Sequence, residues 1–325
     1  MKVLVTGATS LIGEHTVAAL EARGDSVTTL QRGRSDLGSR QVSGSICDDA
    51  VVAEACDGLE GVIHLAARVG VLGDRAAFEA VNVDGTRILI DAARSAGVTS
   101  FVQVSSPSVA HAGTPLVGAP AGPADPGRTR GHYATTKAQA ELAALAASSV
   151  AMPIVAIRPH LVWGPGDRQL IGRIIDRAMQ HRLFLVGSGT ALIDTTYVVN
   201  AAEALVAALD RAAALAGRAL VVTNGEPRTV HELVARITEA AGIDCSPRRV
   251  PTPVAVAGGV IAERVWGLVG SAHDPPMTRF LAEQLSTAHW FDQRETRAAL
   301  EWAPRVSLAE GFELLRRSFE HDDPA

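Results

Sequence analysis

The sequence predicts an α/β fold: a doubly wound parallel sheet followed by a smaller, mostly helical C-terminal lobe. Three observations predict it. Short apolar runs alternate with helix-like stretches from the N-terminus to about residue 223, the pattern of consecutive βαβ units. The first run meets a Gly-rich turn that opens a helix, Thr6-Gly7-Ala8-Thr9-Ser10-Leu11-Ile12-Gly13. From Asn224 onwards the pattern is almost wholly helical.

Composition bounds the function classes. With 325 residues, 47% of them hydrophobic, the chain can bury one large core or two unequal ones. A net charge of -5, of mixed sign, argues against a nucleic-acid partner. Cys47, Cys56 and Cys245 are odd in number and form no CxxC pair. Neither a disulfide framework nor a metal site is expected, and a reducing cytoplasm fits. Met1-Lys2 leads straight into an apolar run, so no signal peptide is expected.

Residues 2–6 read as the first strand and 11–23 as a helix ended by Gly24. The turn between them would set backbone N–H groups and the positive helix end against a pyrophosphate, as in a Rossmann dinucleotide site. Its candidate contacts are Gly7, Thr9, Ser10, Leu11, Ile12 and Gly13. The second strand, 26–31, should deliver its end to the adenosine ribose, where a carboxylate would select NAD. Gln31-Arg32-Gly33-Arg34 has no carboxylate and offers two guanidiniums for a 2′-phosphate. NADP(H) is therefore expected in preference to NAD(H), with Arg32 and Arg34 as contacts; the alternative is two solvated loop charges.

A third strand is expected over 41–46 and a short helix over 50–56. Residues 61–67 read as a buried fourth strand whose end, Leu65-Ala66-Ala67, lets a cofactor approach the backbone. His64 within it reads as a satisfied core-edge histidine. A helix through Phe78, Val81, Leu89 and Ala96 carries Asn82 and Gly85 one turn apart. Glycine inside a helix costs about 1 kcal/mol relative to alanine, so Gly85 suggests close packing against another backbone. A fifth strand, 100–109, contains Val104 and runs out into Ser105, Ser106 and Ser108, hydroxyls at the functional end of a parallel sheet. The Gly/Pro-rich stretch 112–130 is too long for a connector and is expected to line or gate a site.

Next comes Gly131-His132-Tyr133-Ala134-Thr135-Thr136-Lys137, which joins one of two tyrosines to one of two lysines. The alanines that follow favour helix, and residues i and i+4 share a helix face. An ammonium there would pull the phenol pKa from about 10 towards neutrality and make it a proton donor. The bland alternative is an ordinary helix whose Tyr and Lys sit half exposed.

Residues 153–158 form a sixth strand, followed by Pro159-His160-Leu161-Val162-Trp163-Gly164-Pro165-Gly166-Asp167. Residues 168–198 then make an excursion before 200–215 and 219–223 return to the sheet; Tyr197 reads as packing. The expected division is a cofactor domain of residues 1–166 and 192–224 and a substrate lobe of 167–191 and 225–325, the latter with one short strand near His289. The apolar segment 250–270 contains Pro251, Pro253 and Glu263-Arg264 and falls short of a bilayer span. It is expected to line a pocket, or alternatively to skim a membrane surface.

The Gly7 to Gly13 turn, Val81-Asn82-Val83-Asp84-Gly85-Thr86, Ser105-Ser106, Tyr133-x-x-x-Lys137 and Arg158-Pro159-x-x-x-Trp163-Gly164-Pro165-Gly166 occur in order over nearly the whole chain. Together they resemble the extended short-chain dehydrogenase/reductases of the 3β-hydroxysteroid dehydrogenase-like branch. The departure is Ser10, where the family has a glycine; its hydroxyl could instead donate to a phosphate. Arg158 to Asp167, Asp194-Thr195-Thr196-Tyr197 and Pro275-Pro276-Met277-Thr278-Arg279-Phe280 further resemble the 2-alkyl-3-oxoalkanoate reductases (β-keto acid reductases) of bacterial long-chain olefin biosynthesis.

The resemblance implies a proton from Tyr133, a Lys137 that lowers its pKa and holds the nicotinamide ribose, a Ser106 bonded to the carbonyl oxygen, and an Asn82 supporting Lys137 through a water. It places Ile46, Val104 and Pro159 at the cofactor, with Ser45 and Asp48 as candidate adenine contacts, and Ser108, His160 and Trp163 near the substrate, although His160 by itself reads as structural. The implied reaction is NADPH-dependent reduction of the 3-keto group of a long-chain 2-alkyl-3-oxo acid in hydrocarbon biosynthesis. The nearer alternative is an NAD(P)-dependent 3β-hydroxysteroid or sterol dehydrogenase. A nucleotide-sugar epimerase or dehydratase would need cations such as Arg248, Arg249 and Arg279, and a non-catalytic NADP sensor would not need the Tyr/Lys pair. The expected partners are a small apolar substrate, a second copy of the chain, other hydrocarbon-biosynthesis enzymes, and a peripheral membrane contact for an otherwise cytoplasmic protein.

Overall fold

The computed structural model describes residues 1–70, 73–111, 113–269, 275 and 277–321. Ala112 of the Gly/Pro-rich stretch, Gly270 of the apolar segment, Pro276 of the Pro-Pro-Met motif, and 71–72, 271–274 and 322–325 of the expected domains lie outside the described residues.

The first part of the chain runs β1 (Lys2–Thr6), α1 (Leu11–Ala22), β2 (Ser26–Gln31), β3 (Arg40–Ser43), α2 (Asp49–Cys56) and β4 (Gly61–His64). There follow α3 (Arg75–Glu79), a π-helical turn (Ala80–Asp84), α4 (Gly85–Ser95), β5 (Ser100–Val104), β6 (Leu116–Ala119), α5 (Gly131–Ala146), β7 (Ile154–Pro159) and β8 (Val162–Trp163). The chain continues with α6 (Ile171–Met179), β9 (Phe184–Val186), β10 (Leu192–Ile193), β11 (Thr196–Tyr197), α7 (Val198–Asp210) and β12 (Ala219–Val222). Last come β13 (Arg228–Thr229), α8 (Val230–Ala240), β14 (Arg248–Val250), α9 (Thr252–Val269), α10 (Arg279–Ser286), β15 (His289–Phe291), α11 (Arg294–Leu300) and α12 (Leu308–His321).

The central sheet is seven-stranded and parallel, in the order β12-β7-β5-β4-β1-β2-β3. Strand order reverses between β1 and β4, so a crevice opens beyond their carboxyl ends, where open α/β sheets bind ligands. Val17 and Leu20 of α1 and Leu205 and Leu209 of α7 cover one face; Val52 of α2, Leu89 of α4 and Ala144 of α5 cover the other. Both faces are apolar, as a parallel sheet requires.

Strands β3, β4 and β5 stop at Ser43, His64 and Val104, short of the expected 46, 67 and 109. At the third of these ends the chain turns away into a 3₁₀ turn, Pro107–Val109, capped by Ser106. The helix expected through Phe78 and Ala96 is broken by the π-helical turn that contains Asn82. Gly85 packs against a side chain rather than a backbone, since a Cβ there would lie 2.8 Å from Ile46 Cγ1.

Among the described residues beyond 224 there are three short strands, where one was expected. Strands of two or three residues leave no periodic signature, and β13 and β14 are specified by their partners β10 and β9. The second sheet has the order β13-β10-β15-β6. Its β6 comes from the Gly/Pro-rich stretch, which Arg158 also tethers by donating to the carbonyls of Ala121 and Gly122. Among the described residues, no helix is long and apolar enough to cross a membrane.

Candidate active site

The turn after β1 is built for close approach. Gly7 has φ +70°, and a Cβ on it would lie 2.8 Å from Ala66 N at the end of β4. A Cβ on Gly13 would lie 2.5 Å from Gly7 O, so the helix can begin directly under the turn only with glycine there. Ser10 caps α1: its Oγ accepts from Gly13 N at 3.2 Å and donates to Gly7 O at 2.8 Å. That hydroxyl is therefore committed to the turn and not free for a phosphate. The amides of Leu11 and Ile12 have no acceptor among the described residues. Two open amides at a helix N-terminus beside glycines fit a dinucleotide pyrophosphate.

At the β2 end, Arg32 and Arg34 are exposed and form no ion pair among the described residues. Gln41 fixes their loop by donating to Gly33 O and accepting from Ser35 N. Asp48 caps α2 through Ala50 N and Val51 N, and Ser45 Oγ accepts from Cys47 N, so local capping engages both candidate adenine contacts. Ile46 is buried in the core.

His64 is satisfied on both ring nitrogens. Thr86 Oγ1 donates to Asn82 O at 2.7 Å, so His64 Nε2 must donate to Thr86 Oγ1 at 3.0 Å. His64 Nδ1 then accepts from Thr6 Oγ1 at 2.7 Å, and that hydroxyl accepts from Ala66 N at 3.1 Å. This chain joins the ends of β1 and β4 to the π-helical turn. Burial, with the Lys137 charge adding to it, pushes the imidazole down to about 3, and it stays neutral. It is a core histidine.

Asn82 bonds directly to the backbone after β4 and to the helix turn before Lys137. Its Oδ1 accepts from Arg68 N at 2.7 Å, and its Nδ2 donates to Arg68 O and to Thr136 Oγ1 at 2.9 Å. It thereby fixes the loop after β4, with Leu65 to Ala67, against the helix turn that carries Lys137.

Tyr133 and Lys137 lie one turn apart on α5. Lys137 is 4% exposed and donates from Nζ to Val104 O at 2.6 Å. Burial pulls its ammonium down to about 8, and the Glu141 carboxylate one turn further on opposes the fall. The phenol does not shift as expected. Burial raises the Tyr133 pKa, and a hydrogen bond with Ser106 pulls the other way. With the ammonium directed at a strand carbonyl, the desolvation of a phenolate wins. Ser106 in turn accepts from Ser108 N and from Ser108 Oγ at 2.9 Å. Ser105 Oγ is buried without a partner among the described residues.

Tyr133, Ser106, Ser108 and His160 line one cavity of about 420 Å³, with Leu116 and Phe291 among its walls. Trp163 is not among its walls. It is 1% exposed, donates from Nε1 to Thr195 Oγ1 at 3.0 Å, and stacks on Phe312 at 4.6 Å. Its expected substrate contact is corrected to a core position, because the turn after β7 directs it into the α12 side of the lobe. Arg248 and Arg249 do not line the cavity, whereas Arg279 does.

Residues 3–223 match the NAD dependent epimerase/dehydratase family. The chain belongs to it. Within the family, it is 39% identical over 98% of its length to a 2-alkyl-3-oxoalkanoate reductase of Stenotrophomonas maltophilia, 99% of which is covered. It is 34% identical over 97% of its length to a protein of that name from Shewanella oneidensis, covering 85% of it. A short-chain dehydrogenase/reductase superfamily protein from Agrobacterium tumefaciens, solved with bound NAD, shares the fold with a TM-score of 0.78 and 22% identity, over 99% of this chain and 98% of that one. This member of the epimerase/dehydratase family is thus an extended short-chain dehydrogenase/reductase that binds a nicotinamide dinucleotide and acts as an NAD(P)-dependent oxidoreductase of the ketoreductase/dehydrogenase kind.

Several residues at the family site escaped sequence reasoning. Glu141 forms a buried ion pair with Arg158, Nη2 to Oε1 at 2.5 Å with both side chains 1% exposed. His111, Gln284 and His289 reach the cavity only because β6 pairs with β15. No local pattern announces that pairing.

Proposed function

We propose that the chain uses NADPH to reduce the 3-keto group of a long-chain 2-alkyl-3-oxoalkanoic acid to the 3-hydroxy acid. The observation that carries this reading is the cavity: Tyr133 and Ser106 line it together with the apolar side chains of Leu116, Leu161, Phe280 and Phe291, beside polar ones that include His111, His160 and Gln284. The apolar part of that wall suits alkyl arms. A diphosphate-bearing sugar would want free cations, and the guanidiniums that line this cavity, Arg130 and Arg279, both pair with Glu283. The names of the two reductases above favour the same substrate class, and the carboxylate-free, twice-basic β2 end favours a 2′-phosphate.

A bound nicotinamide dinucleotide supplies the hydride. Tyr133 gives its hydroxyl proton to the carbonyl oxygen as that oxygen gains charge, and Ser106 donates a second hydrogen bond to it. The Ser108 bonds fill the Ser106 lone pairs, so the Ser106 proton points to the Tyr133 oxygen in the free protein and turns to the carbonyl oxygen when a ketone binds. Lys137, one turn behind Tyr133, offsets the charge of the phenolate that forms.

The test is NADPH oxidation, with NADH in parallel, offered a 2-alkyl-3-oxo acid; a 3β-hydroxysteroid is offered in parallel with NADP+ and NAD+. The acid should be consumed fastest, and Tyr133→Phe should lower kcat by about 10²- to 10⁴-fold with little change in cofactor affinity. Faster turnover of the steroid, or a near wild-type kcat in the variant, overturns the reading.

A further inference from the structure

A helix that is apolar all round is ordinarily buried all round, and α9 is buried on one side only. That side is docked: a Cβ on Gly259 would lie 2.5 Å from Arg279 N of α10, Ala255 packs in a buried cluster with Val186 and Ala282, and Glu263 lines the cavity. The other side is open. Val254 is 59% exposed, Ile261 61% and Val265 43%; Ala257 and Gly258 between them are exposed too, and a Cβ on Gly258 would meet nothing within 4 Å.

With about 3.6 residues per turn, positions 254, 257, 258, 261 and 265 share one face, an apolar stripe roughly 16 Å long. No charge falls on it. Glu263 belongs to the opposite, cavity side, and Arg264 stands at the stripe's edge.

The surroundings of the stripe are basic. Arg248 and Arg249 of β14 lead through Pro251 into the first turn of α9, and with Arg264 they are exposed and form no ion pair among the described residues. Phe184 of β9, 42% exposed, pairs in register with Arg248 and adds an aromatic ring at the same end. This charge decides what covers the stripe. In a two-fold pair of copies the same patch meets itself, which sets one basic rim against another. An anionic lipid surface instead supplies headgroup charge for the guanidiniums and an apolar boundary shallow enough for a narrow stripe.

We propose that α9 lies on the surface of an anionic bilayer, its open stripe sunk among the headgroups and Arg248, Arg249 and Arg264 set against lipid phosphates. The helix is an anchor along the surface, not a span. Because it also gives Glu263 to the cavity, it holds the cavity beside the phase in which long alkyl chains accumulate. The anchor stands apart from the substrate reading above, since lipid binding is measured with neither ketone nor cofactor present.

The experiment floats the full chain with vesicles of phosphatidylcholine alone and of phosphatidylcholine mixed with phosphatidylglycerol. An arginine near an anionic surface is worth about fivefold in binding, so the mixed vesicles should hold the chain about tenfold or more tightly, and added salt should erase most of that difference. Ile261→Asp should weaken binding to the mixed vesicles by about tenfold or more, and Arg264→Glu by about fivefold or more. Val150→Asp, at an exposed apolar position outside the helix, should leave it unchanged. All three variants should keep the NADPH affinity of the unaltered protein, which shows that they fold. No binding to the mixed vesicles, undiminished binding by Ile261→Asp, or an equal loss in Val150→Asp overturns the anchor. A dimer in gel filtration that Ile261→Asp splits, with no vesicle binding, overturns it too and gives the stripe to a second copy.

Discussion

Lys137 should leave a measurable signature in the pH dependence of stability. Its ammonium is 4% exposed and is pulled from its ordinary 10.5 to about 8 by burial, with Glu141 opposing. Below pH 8 the group is charged in both folded and unfolded chains, and folding carries the full cost of burying that charge. Between 8 and 10.5 the folded protein has released the proton while the unfolded chain still holds it, so stability rises with pH across that window. At about 1.4 kcal/mol per tenfold change in proton affinity, the gain is about 3 kcal/mol. The assay is urea unfolding of the cofactor-free protein beside Lys137→Met at pH 7, 8, 9 and 10. The methionine variant has no such group, so its stability advantage should shrink by most of that amount from pH 7 to 10. Parallel curves would mean that the ammonium is not desolvated.

Two further outcomes follow from geometry described above. Glu141→Gln leaves Arg158 buried without its carboxylate, which should cost about 3–5 kcal/mol in chemical unfolding; replacing both partners with apolar residues should cost much less than the two single changes summed. Gly13→Ala drives a methyl to 2.5 Å from Gly7 O, and should destabilise by about 1–3 kcal/mol while weakening dinucleotide binding in a titration; unchanged affinity would show that the turn can widen freely.

The sheet was legible because most of its strands, β1, β4, β5, β7 and β12 above all, carry runs of buried apolar residues, while β3 has only Val42 buried; the Gly7 turn was legible because a helix start with close backbone approach admits only small residues. Tyr133 and Lys137 were legible through their spacing. What the spacing could not give was the direction of the phenol shift, since that depends on how much water three-dimensional packing removes and on where Nζ finds an acceptor. Trp163 looked like a substrate contact because its motif adjoins the site, but the residue after a strand end can point to either side of the sheet, and here it enters the α12 packing. The π-helical turn holding Asn82 has the residue types of an ordinary helix. His111 and His289 carry no local signal at all, for their place at the cavity comes from pairing between strands far apart in sequence.

That pairing orders the birth of the molecule. The nucleotide half, apart from its α11 buttress, is complete once Val222 has emerged, whereas the wall facing the substrate needs His289–Phe291 to dock beside Leu116–Ala119. Contacts of such separation form late. A chain shortened before residue 289 should therefore lack the cavity wall that His289 and Phe291 supply opposite the nucleotide half.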